Sequence, residues 1–163
     1  MTNGVELGIQ RVFRALSTIS GELDTSWAKK GFEVIKSFVS SPNVVIREHA
    51  ISALAKVKTA DAVGILADLL VDSRLGSVVQ SALAKLGSLC IDAVGNVLQS
   101  AESTELCRRC INILETIGTL RAVETLAAVF YHKSEEVRLE SCLAVGRLLK
   151  IKGTARLVRS IDV

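Results

Sequence analysis

The feature that most constrains this chain is an internal repeat of about 30 residues, a period that belongs to stacked supersecondary units. Four segments begin at Asn43, Asp72, Ser103 and Ser134, spaced 29, 31 and 31 residues apart. Three residues after each start come Ile46, Leu75, Leu106 and Val137, and seven after come Ala50, Val79, Cys110 and Ser141. Offset ten holds Ala53, Ala82, Ile113 and Ala144, offset eleven Leu54, Leu83, Leu114 and Val145, and offset fourteen Val57, Leu86, Ile117 and Leu148. Increments of three and four place these residues on one face of a helix.

The four starting residues are Asn, Asp, Ser and Ser, whose short side chains accept hydrogen bonds from the first turn's backbone N–H groups, so each is read as an N-cap. Gly87 and Gly118 stand where a left-handed residue would end the second and third helices, near offset fifteen. A second helix follows in every unit, led by Ala62 and Val63, Ala93 and Val94, Ala122 and Val123, and Gly153 and Thr154. Its buried face is read as Leu66, Ala67 and Leu70; Val97, Leu98 and Ala101; Leu126, Ala127 and Phe130; and Leu157, Val158 and Ile161.

Residues 1–42 supply one more pair, with Ile9, Val12, Phe13, Leu16 and Ile19 on one helix and Trp27, Phe32, Ile35 and Phe38 on the next. Four of the six aromatic residues lie there, which suits an end that fills volume without a preceding neighbour. The expected architecture is therefore all-α. It is an α-solenoid of about five antiparallel helix pairs in a single domain over 1–163, with a cap at 1–42, repeats at 43–71, 72–102 and 103–133, and a C-terminal repeat at 134–163.

These residues resemble the HEAT-like repeats named after the phycobilisome lyases, whose units read Asp-Pro-x-Val-Arg-x-x-Ala-x-x-Ala-Leu-Gly-x-Leu-Gly. The nearest match runs from Ser134 to Leu148, with Val137, Arg138, Ala144 and Gly146 in place, and the Asn43 unit keeps Ile46, Arg47, Ala50, Ala53 and Leu54. Gly76 and Cys107 occupy the family's Arg position. The resemblance implies a HEAT-like superhelix acting as a binding scaffold. Some members of the superfamily assist attachment of bilin chromophores to phycobiliproteins, and one relative is a metal-dependent hydroxylase that places His-Glu pairs in successive repeats. This chain has two histidines, His49 and His132, and its comparable dipeptide is the reversed Glu48-His49. The metal-enzyme reading lacks ligands.

Composition adds exclusions. Half the residues are hydrophobic (49%), which is too oily for disorder. No run reaches about 18 uninterrupted apolar residues, so no membrane span is expected. The first residues lack a basic segment followed by an apolar core, so the cytoplasm is the expected compartment. Within the formal net charge of +3, residues 147–163 hold Arg147, Lys150, Lys152, Arg156 and Arg159 against Asp162. That basic end is read as solubilising, since a nucleic-acid footprint calls for a longer basic stripe.

Cys107 and Cys110 have CxxC spacing, and Arg108, Arg109 and Arg121 are candidates to favour thiolate. Against a zinc or redox site, Cys110 falls at a buried register position, where Cys acts as a small hydrophobe. Cys90, in an inter-helix turn, and Cys142, one place beyond the buried position, are expected to be partly accessible. His49 is read as a solvated surface group and His132 as a cation at a helix C-terminus. No catalytic, cofactor-binding or metal-binding residues are assigned.

In solenoids of this type the second helices line the concave surface. Two ladders follow from the register: Ile65, Asn96, Thr125 and Arg156, and then Asp68, Gln99, Ala128 and Arg159. Ile65, Asp68, Asn96, Gln99, Thr125, Arg156 and Arg159 are therefore the candidate contact residues for another protein, received as a helix or an extended segment. A non-enzymatic interaction scaffold is the leading expectation, and a bilin-lyase-type subunit or chaperone is the alternative.

Overall fold

The computed structural model describes residues 7–8, 11–15 and 26–151. Among them every regular element is helical: α1 (Ser26–Phe38), α2 (Val44–Val57), α3 (Ala60–Leu69), α4 (Gly76–Leu86), a 3-10 turn (Gly87–Cys90), α5 (Ile91–Ser100), α6 (Thr104–Ile117), α7 (Leu120–Ala127) and α8 (Glu135–Ile151). The chain divides into two compact units, with the boundary between Leu86 and Gly87. That boundary falls inside the second repeat of the register.

In the first unit α2 packs on α1, α3 and α4, and α3 packs on α4. Its core contains Ile35, Ala50, Ile51, Leu54, Leu66, Leu70, Val79 and Leu83. In the second unit α6 packs on α5, α7 and α8, while α7 also meets α5 and α8. Ile91, Val94, Leu98, Cys110, Ile111, Ile113, Leu114, Leu126 and Ala144 are buried there. Each fully buried Leu or Ile contributes roughly 1.5–3 kcal/mol relative to exposure. All four residues at offset seven and all four at offset ten are buried, so the register identifies the packed face correctly.

Local chemistry explains where the helices begin and end. Asn43 Oδ1 accepts from the N–H of Val45 at 2.9 Å and of Ile46 at 3.4 Å, and Ser103 Oγ accepts from Leu106 at 3.5 Å. Thr59 and Thr119, not singled out from the sequence, cap α3 and α7 in the same manner through Ala62 and Ala122. Offset fifteen ends the first three of these helices in the left-handed conformation, at Lys58 (φ 56), Gly87 (φ 60) and Gly118 (φ 57). The fourth unit has Leu149 at that offset, and α8 continues to Ile151 instead of ending near 149.

Two expectations are corrected. Asp72 is not the cap of α4: its Oδ1 accepts from the N–H and Nε of Arg74, which closes a turn, and the helix begins only at Gly76. The carboxyl is held below its ordinary value first by that backbone N–H and then by the guanidinium. Val12 is 58% exposed while its neighbour Phe13 is buried, so the N-terminal buried face narrows to Phe13. Phe13 meets Phe38 edge to face, ring centroids 5.6 Å apart, which keeps the aromatic packing expected at this end. Finally, Gly76–Ser100 is apolar enough, by length and composition, to cross a membrane. It is divided by the left-handed Gly87 and the 3-10 turn, and α4 and α5 each bury a face in their own unit. Ile9, Leu16, Ile19 and the 153–161 segment lie outside the described residues, as does the Trp27 side chain.

A non-glycine residue in the left-handed region costs about 1 kcal/mol through its Cβ. Lys58→Gly should therefore raise stability by about 0.5–1 kcal/mol, and Gly118→Ala should lower it by a similar amount. Thermal unfolding followed by circular dichroism would show shifts of a few degrees in opposite directions, and equal shifts of the same sign would contradict the role of offset fifteen.

Candidate functional site

The second helices of the second unit, α5 and α7, enclose a groove of about 410 Å³. It is lined by Asn96, Gln99, Thr125 and Ala128 from the two ladders, together with Asp92, Gly95, Arg121 and Glu124. The helices can approach because Gly95 has no side chain: a Cβ there would lie 2.7 Å from Thr125 Cγ2. The Thr125 hydroxyl donates to the Arg121 carbonyl at 2.8 Å, which fixes the methyl against Gly95. At one end of the groove Arg121 Nη2 donates to both carboxylate oxygens of Asp92, at 2.8 and 2.7 Å. Both side chains are largely exposed, so this pair ties two helices geometrically and contributes little to stability.

The amides of Asn96 and Gln99 are exposed and carry two donors and an acceptor each. Glu124 adds a carboxylate on the same surface. Cysteine and histidine are not among the described lining residues, and the Thr125 hydroxyl there is engaged with the Arg121 carbonyl. The arrangement suits hydrogen bonding to a peptide segment.

Ile65 and Asp68 line a separate groove of about 460 Å³ in the first unit, between α1 and α3, with Glu33, Lys36 and Ser37. The structure thus sorts the described candidate residues into one groove per unit. Arg156 and Arg159 lie outside the described residues. Asp92, Arg121 and Glu124 were missed. The available signal was opposite charge about one repeat apart, and it recurs: Arg108 donates to Glu140 at 2.9 Å and to Glu136 at 2.6 Å, and Arg147 to Glu115 at 2.8 Å.

Offset four of the register has a definite role in this chain. Arg47 Nη1 donates to the Ser41 carbonyl at 3.3 Å, and Arg138 Nη1 to the His132 carbonyl at 2.8 Å. Each reaches six residues back, into the connection that precedes its own helix. Cys107 occupies the same position, and its thiol points to the carbonyls of Ala101, also six residues back, and Leu98, at 3.9 and 4.0 Å. A weak sulfur donor stands in for the guanidinium.

Cys90 is fully buried, against the expectation of partial access, and its thiol donates to the Gly87 carbonyl at 3.3 Å. Burial pushes the Cys90 thiol up to about 11 and the Cys110 thiol up to about 12, and raises Cys107 as well. Arg109 acts on Cys110 in the thiolate direction, but desolvation outweighs it. Arg108 is engaged by Glu105, Glu136 and Glu140, and Arg121 by Asp92. Cys142 is exposed, as expected, and is the exposed thiol among the described residues. His132 Nδ1 accepts from the Ser134 N–H at 3.1 Å, in the connection beyond the end of α7. His49 is half-buried on α2. Among the described residues no three metal-ligating side chains converge.

No family model matches the chain, and no curated protein matches it significantly. Among solved structures it is similar to an engineered protein determined by the Northeast Structural Genomics Consortium, 18% identical, over 93% of this chain and 81% of that one, with a TM-score of 0.41. A likeness of that degree carries no argument about fold or function.

Two measurements check the site. Gly95→Ala should destabilise the protein by about 1–2 kcal/mol despite the better helix propensity of Ala, because the added methyl meets Thr125. Adding Thr125→Ser should recover most of the loss; no recovery would mean that the contact is not what Gly95 protects. Separately, a thiol reagent applied to the native protein should modify Cys142 rapidly, and Cys90, Cys107 and Cys110 only on unfolding, as read by mass spectrometry.

Proposed function

We propose that this chain is a HEAT-like α-solenoid scaffold, non-enzymatic and cytoplasmic, whose partner is a protein segment received on the second-helix surface. The observation that carries the reading is the α5–α7 groove, in which Asn96, Gln99 and Thr125 come together with a flanking Asp92–Arg121 pair. The register supports the solenoid, because the same offsets are buried in four successive units. Capping by Arg47, Cys107 and Arg138 at equivalent positions supports it too, since each joins the start of one repeat to the end of the one before. Exposed amides can pair with a partner's backbone N–H and C=O groups, and the groove's small residues leave space for it. Ile65 and Asp68 offer the first unit's share of the surface, and Arg156 and Arg159 would extend it.

The test is affinity capture from the native organism with the wild-type chain and with Asn96→Ala/Gln99→Ala/Thr125→Ala. One protein should be retained by the wild type, and its recovery should fall at least about tenfold in the variant, corresponding to about 1.4 kcal/mol. The variant's circular-dichroism melt should be unchanged. Equal retention by the two forms, or none by either, would overturn the proposal.

A further inference from the structure

Within the second unit, α6 and α8 treat the same offsets of the register differently. On α6, Arg108 and Glu115 stand at offsets five and twelve and are taken up by α8: Arg108 donates to Glu136 and Glu140, and Arg147 donates to Glu115. Ile111, at offset eight on the same face, is buried. The equivalent residues of α8 are Leu139, Cys142 and Gly146, and all three are exposed. Leu143, at offset nine, joins them on one helical face. The chemistry of that face also changes. In the three preceding units offset five holds Glu48, Ser77 and Arg108, and offset nine holds Ser52, Ser81 and Asn112. In the fourth unit both offsets hold leucine, 60% and 51% exposed, which makes an apolar stripe of the kind that a contact covers. Gly146 points the same way. A glycine inside a helix is destabilising relative to Ala. At Gly95 the close approach of Thr125 accounts for it, but a Cβ at Gly146 would meet no atom within 4 Å. The room left at Gly146 opens outward, where a molecule outside the chain can use it.

We propose that this stripe docks a second copy of the chain, α8 against α8 and antiparallel. The occupant follows from the charges at the two ends of the stripe. Glu135 in the first turn and Lys150 in the last lie on the same helical face, and both are exposed. Glu136, Glu140 and Arg147, on the flank, are held by α6. An antiparallel second copy brings its Lys150 to Glu135 and its Glu135 to Lys150, so a two-fold axis satisfies both pairs at once. The midpoint between 135 and 150 is also the midpoint between 139 and 146. The register that pairs the charges therefore sets Leu139 of each copy over Gly146 of the other, with Cys142 and Leu143 at the axis. A parallel arrangement would oppose like charges at both ends. Exposed pairs contribute little energy, so the charges select the orientation and the leucines supply the burial. One helix per copy makes a small contact, below about 1,200 Å², which belongs to weak, reversible association. The stripe lies on a different helix from the α5–α7 groove, and neither proposal depends on the other.

The experiment is sedimentation equilibrium of the full chain at low ionic strength, under reducing conditions, from low to high micromolar concentration. The wild type should show a reversible monomer–dimer equilibrium, and alkylation of Cys142 should slow as the concentration enters the dimer range. Leu139→Gln/Leu143→Gln, which places good helix formers at exposed positions, should stay monomeric with an unchanged circular-dichroism melt. Glu135→Lys and Lys150→Glu should each weaken association by about fivefold or more. An equimolar mixture of those two variants should associate more tightly than either alone, because the mixed dimer carries opposite charges at both ends. A wild type that is monomeric throughout, a dimer that survives the leucine replacements, or a mixture no tighter than its components would overturn the proposal.

Discussion

Both units depend on how closely their first helices can pack, and that is decided at offset seven. Ala50, Val79, Cys110 and Ser141 occupy it, all small or branched and all buried. A larger residue there would push neighbouring helices apart, because protein interiors have little free volume to yield. The positions at offsets ten and fourteen then close over it with Ala, Val, Leu and Ile, and within each unit the two first helices pack on each other, α2 on α4 and α6 on α8. This is why the chain is rich in Ala, Val and Leu and holds few rings: closely packed helices leave little room for aromatics, and Phe13 and Phe38 meet edge to face in the first unit.

Polar contacts then join the packed helices at their ends and edges. Arg47 and Arg138 donate to the Ser41 and His132 carbonyls, in the connections that lead into their own helices. Cys107 makes the same connection more weakly, but it is buried and so costs little to leave as a thiol. Along the first-helix surface of the second unit, Arg108 and Arg147 are matched by carboxylates about one repeat away. Those charges are occupied with each other. The α5–α7 side differs, because its amides are exposed and only the Asp92–Arg121 pair is matched internally. This contrast makes the second-helix surface the better candidate for contact with another protein.

How far sequence reasoning reached follows from the range of each interaction. The packed face was legible because helical spacing is local and was repeated four times. Asn43 and Ser103 were legible as caps, whereas Asp72 was not, because Arg74, two residues on, offers both a backbone and a side-chain donor and holds the Asp in a turn. Cys90 looked accessible from its place in a turn, yet that turn is a 3-10 segment folded inward so that the thiol meets Gly87. In the groove, Asn96, Gln99 and Thr125 followed from the register. Asp92 and Arg121 did not, since their pairing depends on two helices approaching at Gly95, a contact that neither helix encodes alone.

Amide hydrogen exchange tests the central claim, that a repeated buried face organises both units, most directly. The slowest exchange should recur with the repeat, at residues 50–57, 79–86, 110–117 and 141–148, with faster exchange at 87–90 where the left-handed Gly87 breaks the helix. A single protected stretch running unbroken from 76 to 100, with no recurrence at the other three segments, would contradict it.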